Sequence, residues 1–273
     1  MANGTNKDKL GDCCLAEYHP LPGTPRGQII KIADIDTYFI EGDDQTSKGK
    51  VIVLLTDVFG LVKNPRIIAD EVSEKSGMDV YVPDLFNGDA LPSSHLKGSP
   101  EVPGEKKSFG AKLNFVGKVF TDIGPWMIRH RQGVTLPIVE RFFKTLRPER
   151  NATRIQAVGY CFGGLYAMLA GGSLHLADTI VGCHVSLVNK SHFEQLQVPA
   201  AFAFAQEDEY FSDSFRTEVQ HILSRKSDIP SKFLLTNGTV HGFASRPNPD
   251  NPTIMAAFKQ ANDLIAEWAK THL

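Results

Sequence analysis

An uncharged segment interrupted by glycines constrains the fold of this chain more than any other feature. Residues 155–177 contain no Asp, Glu, Lys or Arg, but they contain Gly159, Gly163, Gly164, Gly171 and Gly172. A membrane-spanning helix is a continuous apolar stretch of about 20 residues, and these glycines would interrupt it repeatedly. They divide the segment into a short strand, a tight turn and a helix, which predicts a buried β-turn-α unit.

Short apolar runs of the same kind recur along the chain, separated by segments with helical periodicity. Runs of this kind predict strands at 51–55, 80–82, 179–185, 200–205 and 232–236. An uninterrupted apolar run is typical of a strand that is covered on both faces. We therefore predict an α/β fold with a mostly parallel central sheet and helices on both faces.

Length and composition agree with one folded domain. The chain has 273 residues, of which 42% are hydrophobic and 22% charged, with a net charge of -2. These values exclude a disordered chain and a small disulfide scaffold. We predict a loop-rich N-terminal extension at 1–27 and a single domain at 28–273. A cap-like excursion is predicted at about 87–134, and its part at 90–103 is rich in Pro, Ser and Gly.

The four cysteines do not form a C-x-x-C pair. Free thiols are typical of a reducing compartment, so the predicted location is the cytoplasm. No targeting or membrane segment is recognised, and no metal or cofactor is implied. The predicted partner is a small molecule, with no nucleic acid and no membrane, and the chain is expected to be a monomer or homodimer.

The sequence Gly-Tyr-Cys-Phe-Gly at 159–163 stands between the predicted strand and helix. This is the pattern of a nucleophile elbow, with Cys161 in the place of the usual serine. The glycines are needed because the turn is too tight for side chains beside the nucleophile. The helix N-terminus favours a thiolate, and the Phe162 N–H points to where an oxyanion would form. A buried cysteine in a glycine-rich turn is the alternative interpretation.

A nucleophile of this kind needs a base and an acid that orients the base. His241 follows the strand predicted at 232–236, and Glu207, Asp208 and Glu209 follow the strand at 200–205. The order nucleophile, acid, histidine is that of α/β-hydrolases, and by position any of the three acids could serve. The other eight histidines, His184 among them, show no metal spacing and are expected to be structural or on the surface.

The loop after the first central strand should supply the second oxyanion donor. That loop begins at Thr56, and the backbone N–H of Val58 is the candidate donor. Asp57 stands at the end of a buried strand and should lie near Cys161. A turn-forming or helix-capping aspartate is the alternative.

Over about residues 28–270 the chain resembles the dienelactone hydrolase (carboxymethylenebutenolidase-like) family of the α/β-hydrolases. The matching motifs are Asp57-Val58-Phe59-Gly60, Ala69-Asp70, Val82-Pro83-Asp84-Leu85-Phe86, Gly159-Tyr160-Cys161-Phe162-Gly163-Gly164, Asp208 and His241-Gly242-Phe243. The resemblance implies an α/β-hydrolase fold and a Cys161-Asp208-His241 triad, and so selects Asp208 among the three acids.

The resemblance also bears on the residues around the nucleophile. Asp57 stands where the bacterial lactonases have a Glu that interacts with the nucleophile, and Asp is the form in the animal and fungal members, which this chain resembles more closely. Those lactonases hold the substrate carboxylate with arginines, and Arg246 lies near the corresponding place. Arg246, Tyr160 and Trp126 are therefore candidate substrate-binding residues, and Asp57 is a candidate to support the nucleophile.

The middle of the chain is basic. Residues 92–154 contain 12 Lys and Arg against five Asp and Glu, a local net charge of +7. A solvated basic face is one interpretation, and a cap whose field attracts an anionic ester or lactone is the other. The predicted function is a cysteine-dependent hydrolase of a small ester or lactone that forms a covalent acyl-enzyme. A thioesterase and a non-catalytic ligand-binding or thiol redox-sensing protein are the alternatives.

Overall fold

The structure is a computed structural model, and it describes residues 19–43, 45–93, 99–105, 117 and 119–273. The strands are β1 (Gln28–Ile32), β2 (Ile35–Ile40), β3 (Lys50–Leu55), β4 (Asp79–Pro83), β5 (Arg154–Tyr160), β6 (Thr179–Cys183), β7 (Ala200–Glu207) and β8 (Ser231–Val240). They form one sheet in the order β1-β2-β4-β3-β5-β6-β7-β8. The strands from β4 through β8 in this order are parallel, while β1 and β2 are antiparallel at one edge.

Helices cover both faces of the sheet. They are α1 (Lys63–Ser76), α2 (Gly124–Arg129), α3 (Gln132–Glu149), α4 (Phe162–Gly171), α5 (Lys190–Glu194), α6 (Asp213–Ser224) and α7 (Pro252–His272). Apolar side chains of α1 and α7 pack against one face, and those of α3, α4 and α6 pack against the other. The predicted α/β-hydrolase arrangement is therefore confirmed.

The register of the parallel strands aligns their carboxyl ends. Leu55 of β3 pairs with Gly159 of β5, and Tyr160 pairs with Cys183 of β6. Glu207 of β7 pairs with Val240 of β8. Since loops at the carboxyl ends of parallel strands meet at one edge, this register brings the loops after β3, β5, β6, β7 and β8 together there.

All five predicted strands differ in length from the observed ones, and the differences at β6 and β8 bear on the site. β8 continues to Val240 rather than ending at Thr236, because Gly238 takes a φ of +75° and donates its N–H to Gln206 Oε1 at 2.8 Å. β6 ends at Cys183 rather than at Val185, because His184 has a φ of 37° and leaves the extended conformation. His184 and Ser186 therefore lie in the loop that follows β6, at the edge of the sheet where the other loops meet.

Part of the predicted cap-like excursion is described. Residues 94–98, 106–116 and 118 lie outside the described residues, as do residues 1–18 with Cys13 and Cys14. A wide helical turn at Val119–Ile123 leads into α2. Asp89 holds this segment by pairing with Arg129 at 2.9 Å and with His130 at 2.9 Å. Residues 19–27 contain no strand or helix before β1, and within the described chain no helix is long and apolar enough to cross a membrane.

Candidate active site

Cys161 occupies the strained turn between β5 and α4. Its φ of 48° and ψ of -111° lie outside the regions that side-chain-bearing residues favour. Its N–H donates to Cys183 O at 3.2 Å, and its carbonyl accepts from Gly164 N at 2.9 Å and Ser186 N at 3.1 Å. These bonds from three sides hold the turn in place and present the half-buried thiol at the sheet edge.

The glycines of the elbow are needed for close approach of backbones. A Cβ on Gly163 would lie 2.1 Å from Leu55 O and 2.8 Å from Thr56 O. A Cβ on Gly159 would lie 2.5 Å from Gly163 O. The space is used by a bond from Gly163 N to Thr56 O at 3.0 Å, which fastens the elbow to the end of β3.

His241 and Asp208 form a hydrogen-bonded pair. His241 Nδ1 lies 3.0 Å from Asp208 Oδ1 and 2.9 Å from Oδ2, and the two side chains are only 10% and 3% exposed. Tyr210 N also donates to Asp208 Oδ1 at 2.9 Å, which fixes the carboxylate. Glu207 and Glu209 are exposed, so the geometry selects Asp208 among the three candidate acids.

The second ring nitrogen of His241, Nε2, lies on the side of the ring that is turned toward Cys161. Nε2 is buried and has no hydrogen bond of standard geometry within the described residues, but Cys161 lies close enough to act on the ring electrostatically. Burial of the ring opposes protonation, yet the Cys161 sulfur and the Asp208 carboxylate outweigh burial and raise the pKa of His241 to about 9. The surroundings of His241 therefore favour its protonated, imidazolium form.

Val58 and Phe162, the two candidate oxyanion donors, line the cavity together with Cys161. Phe162 is the first residue of α4, where N–H groups have no partner within the helix. Val58 stands two residues after the Thr56 carbonyl that binds Gly163, and its own carbonyl accepts from Leu91 N at 2.9 Å. Within the described residues neither the Val58 nor the Phe162 N–H donates a hydrogen bond, so both can donate to a substrate oxygen.

Asp57 joins two loops of the site. Its carboxylate accepts from Phe59 N at 3.0 Å and from Ser245 Oγ at 2.8 Å. The side chain is buried; its bond to Phe59 orders the loop after β3, and its bond to Ser245 ties that loop to the loop that follows His241. Asp57 therefore lines the site with Cys161, but the hydrogen bonds of its carboxylate go to these partners.

Sequence reasoning missed two residues of the loop after β6. Ser186 Oγ lies 3.5 Å from Cys161 Sγ, and Ser186 is 4% exposed. His184 was expected to be structural or on the surface; it is buried, with its ring centroid 4.9 Å from that of His241. The signal that could have found both residues is their position after a parallel strand that neighbours the elbow strand.

The His184 ring lies behind His241 in an apolar setting. It also contacts Phe243 at 5.7 Å and Tyr160 at 6.0 Å between ring centroids, and neither ring nitrogen has a partner within the described residues. Burial lowers the pKa of His184 well below the usual value, and the positive charges of His241 and Arg246 lower it further. His184 is therefore a neutral ring that supports His241 by contact.

A cavity of about 730 Å³ opens in front of Cys161. Its apolar lining includes Val58, Phe59, Leu91, Ile123, Met127, Phe162, Leu187, Tyr210 and Phe211. Tyr210 lies with its ring centroid 4.7 Å from that of His241 and is 53% exposed. Ile123 and Met127 show that the predicted cap-like excursion supplies part of the wall.

The charged residues that line the cavity are mostly acidic. Glu105, Glu207, Glu209 and Asp213 stand around its mouth. Glu207 accepts from Gly104 N at 3.0 Å, which holds the 99–105 loop beside β7. Arg246 supplies positive charge on the same wall.

The Arg246 guanidinium lies against the loop that carries His241. Arg246 Nη2 is 3.5 Å from His241 O, and its Cζ lies 5.5 Å from the Phe59 ring centroid. No carboxylate of the described residues pairs with it. The guanidinium is therefore available to a ligand in the cavity.

Two predicted substrate-binding residues do not reach the cavity. Tyr160 is 3% exposed and points from β5 into the core beneath α1 and α7, because alternate residues of a strand face opposite sides. Trp126 is 1% exposed and packs edge-on against Phe86 and Phe162, with centroids 5.0 and 5.5 Å away. Trp126 supports Phe162 from below the site.

None of the described Lys and Arg residues of the basic segment lines the cavity. Arg147 and Arg154 pair with Asp178 at 3.1 and 3.2 Å, at the amino ends of β5 and β6. Cys161 stands at the other end of β5, so these charges lie about 20 Å from it at the usual rise of a strand. Several lysines of the segment fall outside the described residues. Within the described chain no three His, Cys, Asp or Glu side chains converge to hold a metal ion.

Comparison with known proteins agrees with the motifs. A model of the dienelactone hydrolase family matches residues 35–273. Hydrolase tropI from Talaromyces stipitatus is 29% identical over 272 residues, which cover 96% of each chain. The carboxymethylenebutenolidase homolog of Mus musculus is 22% identical and covers 100% of both chains.

Solved structures share the fold at lower identity. A dienelactone hydrolase-like promiscuous phosphotriesterase from metagenomic libraries superposes with a TM-score of 0.55 at 17% identity, over 90% of this chain and 99% of that chain. The family model spans most of the sequence, so the resemblance drawn from the motifs is confirmed. The chain belongs to the dienelactone hydrolase family, whose reaction is the hydrolysis of ester or lactone bonds.

Proposed function

We propose that this hydrolase acts on a small ester or lactone through a covalent acyl-enzyme on Cys161. The observation that supports the proposal is the position of His241, which binds Asp208 through Nδ1 and turns its other nitrogen toward the elbow cysteine. That order of nucleophile, base and acid is the arrangement required for nucleophilic catalysis. The glycine elbow and the free N–H groups beside it support the same reaction.

In the first half of the reaction the Cys161 thiolate attacks the carbonyl carbon of the substrate. The carbonyl oxygen becomes an oxyanion and accepts hydrogen bonds from the Val58 and Phe162 N–H groups. As the intermediate collapses, the alkoxide leaves and takes a proton from the His241 imidazolium. The product of this half is a thioester on Cys161.

In the second half His241 takes a proton from water, and the hydroxide attacks the thioester carbon. The oxyanion forms again at the same N–H groups, and the intermediate expels the thiolate. Asp208 keeps the imidazole oriented and stabilises its charged form throughout. Asp57 acts indirectly, because its bond to Phe59 orders the Val58 loop and its bond to Ser245 holds that loop against the His241 loop.

The lining of the cavity limits the kind of substrate. Apolar walls suit an apolar or aromatic body, and the acidic mouth disfavours a substrate with several negative charges. Arg246 offers one place where a single carboxylate could bind bidentately. We therefore propose a substrate with an apolar body and one acidic group near Arg246.

Replacing the nucleophile tests the proposed function. Cys161→Ala should keep the fold and lower turnover at least roughly 10⁴-fold, because water then lacks the covalent route. The matched control is Cys183→Ala, which removes the buried thiol at the end of β6 and should keep turnover. Hydrolysis of lactones, aryl esters and thioesters is measured for all three proteins, and the acyl-enzyme is sought by mass spectrometry.

Two results would overturn the assignment. The first is hydrolysis by Cys161→Ala at the parent rate. The second is stoichiometric alkylation of Cys161 in a parent protein that turns over none of the substrate classes, which would support the non-catalytic thiol sensor. Preference for thioesters over esters would support the thioesterase alternative with the same residues.

A further inference from the structure

We propose that Ser186 is a further catalytic residue, whose hydroxyl donates a hydrogen bond to the Cys161 sulfur and stabilises it as the thiolate. The inference rests on the proposed function and concerns the same site. Neither the sequence motifs nor the family resemblance assigns a role to Ser186. The argument depends on its distance to the sulfur, its burial and the partners available to its hydroxyl.

Ser186 contacts Cys161 through both its side chain and its backbone. Its Oγ lies 3.5 Å from Cys161 Sγ, within the range of hydrogen bonds to sulfur. Its own N–H donates to Cys161 O at 3.1 Å, so the backbones of the two residues are bonded to each other. The residue is 4% exposed and lines the wall of the cavity. The hydroxyl is therefore kept beside the sulfur by the fold.

The direction of the bond follows from the charges around the sulfur. Cys161 faces His241, whose protonated ring is stabilised there, and Tyr210 from the loop after β7. Asp208 lies behind His241 and Arg246 lies on the same cavity wall. A thiolate can only accept a hydrogen bond, whereas a serine hydroxyl can donate one. Ser186 is therefore the donor when the sulfur is charged.

Asp57 does not compete for this place. Both oxygens of its carboxylate already accept hydrogen bonds, one from Phe59 N and one from Ser245 Oγ. The resemblance implied that Asp57 supports the nucleophile, and Ser186 is the side chain whose hydroxyl lies within reach of the sulfur. A neutral donor also stabilises a thiolate, whereas a second anion beside it would repel it.

The bond matters at two points of the reaction. Before acylation it stabilises the thiolate that forms the S–C bond. In the thioester the sulfur carries no charge, so the bond weakens. In deacylation the S–C bond breaks, the electron pair returns to sulfur, and the Ser186 hydroxyl again stabilises the departing thiolate. No proton leaves Ser186 in either half.

Alkylation by iodoacetamide as a function of pH tests the proposal without a substrate. Iodoacetamide reacts with the thiolate, and peptide mass spectrometry separates Cys161 from the other three cysteines. In Ser186→Ala the midpoint of the Cys161 profile should move to higher pH by about one to two units, since a hydrogen bond to a charged group is lost. Pre-steady-state kinetics of that variant should also show slower breakdown of the acyl-enzyme.

Control variants separate the hydroxyl from packing. Ser186→Thr keeps a hydroxyl and should restore most of the parent profile. Ser73→Ala removes another buried serine hydroxyl, which lies in α1 and donates to Met78 O at 3.0 Å. This variant should leave the profile unchanged. If Ser186→Ala does not fold, Ser186→Gly removes the same hydroxyl and is measured in its place.

The direction of the shift decides the outcome. A midpoint that is unchanged in the variant, or that moves to lower pH, would overturn the proposal, since the hydroxyl would then donate nothing to the thiolate. The proposed function fails by a different result, the retention of turnover in Cys161→Ala. The two failures are therefore distinguishable.

Discussion

The elbow at Cys161 and the mouth of the cavity belong to one site, yet different kinds of contact hold them in place. Backbone bonds fix the elbow, among them Gly163 N to Thr56 O and Ser186 N to Cys161 O. Side-chain bonds between distant segments fix the mouth. Glu207 binds Gly104 N, and Asn248 Nδ2 donates to Glu101 Oε2 at 2.6 Å.

The difference teaches which part of the site can vary. Backbone atoms that are already in van der Waals contact leave no room for an added atom, so the elbow constrains the residue type at each position. A side-chain bond at an exposed rim contributes little stability and can be exchanged for another. The residues of the elbow are therefore constrained by the fold, and those of the mouth can change with little effect on the fold.

The strongest test of this comparison adds one methyl group to the elbow. In Gly163→Ala the Cβ would lie 2.1 Å from Leu55 O, and the backbone on both sides would have to shift. We expect a loss of unfolding free energy of about 3 kcal/mol, together with loss of turnover. Urea denaturation and a hydrolysis assay measure both effects.

A matched glycine in open space serves as the control. Gly133, near the start of α3, has no atom within 4 Å of a Cβ built there, and its φ is not positive. Gly133→Ala should be neutral or stabilise the protein by up to about 1 kcal/mol. Parent-like stability and turnover in Gly163→Ala would show that the elbow is less constrained than its contacts indicate.

The next largest effect concerns the acid. Asp208→Asn should lower kcat by up to roughly 10⁴-fold, by analogy with the serine triad. It should also move the alkaline limb of the pH–rate profile. The pKa of His241 is raised to about 9 with a contribution from Asp208, so the parent keeps its imidazolium up to that pH. Without the carboxylate the imidazolium is lost at lower pH, and the limb should move toward the ordinary value near 6.5.

Glu207→Gln is the matched control for the acid, since it removes a neighbouring carboxylate at the mouth. The Glu207 side chain is exposed and binds a loop N–H, so the expected change in kcat is within about threefold. Greater damage from Glu207→Gln or Glu209→Gln than from Asp208→Asn would mean that another acid orients His241.

The two regions also differ in what the sequence reveals. The elbow was predictable because tight backbone contacts require glycine at fixed positions, and the strand pattern placed the loops of Val58, Asp208 and His241 at one edge. The positions of Tyr160 and Trp126 were not predictable in this way. Which face of β5 each side chain takes, and how α2 packs beneath Phe162, depend on contacts between segments that leave no local pattern.

Ser186 and His184 show a further limit of sequence reasoning. The prediction continued β6 to Val185, which would have placed His184 within the strand and Ser186 directly after it. A φ of 37° at His184, unusual for a residue other than glycine, ends the strand earlier and turns the two side chains toward Cys161 and His241. Nothing in the residue types signals that turn. The family resemblance was confirmed, while the role of each site residue stays a prediction.

The smallest expected effect concerns Arg246, where the mouth meets the catalytic loop. Its guanidinium has no carboxylate partner among the described residues, so a substrate carboxylate could bind there. Arg246→Ala should raise KM for an acidic ester by about 10- to 100-fold and leave its methyl-capped analogue nearly unchanged, with kcat affected little.

Arg141→Ala is the control, because it removes an exposed positive charge from α3 without touching the cavity. Arg147 and Arg154 of the basic segment lie at the opposite end of β5 and β6, so salt should change the selectivity little. Equal loss in both variants, or selectivity that falls steeply with salt, would mean that the long-range field of the segment attracts the substrate. Equal selectivity of the parent and Arg246→Ala would instead assign substrate choice to the apolar wall of Leu187 and Tyr210.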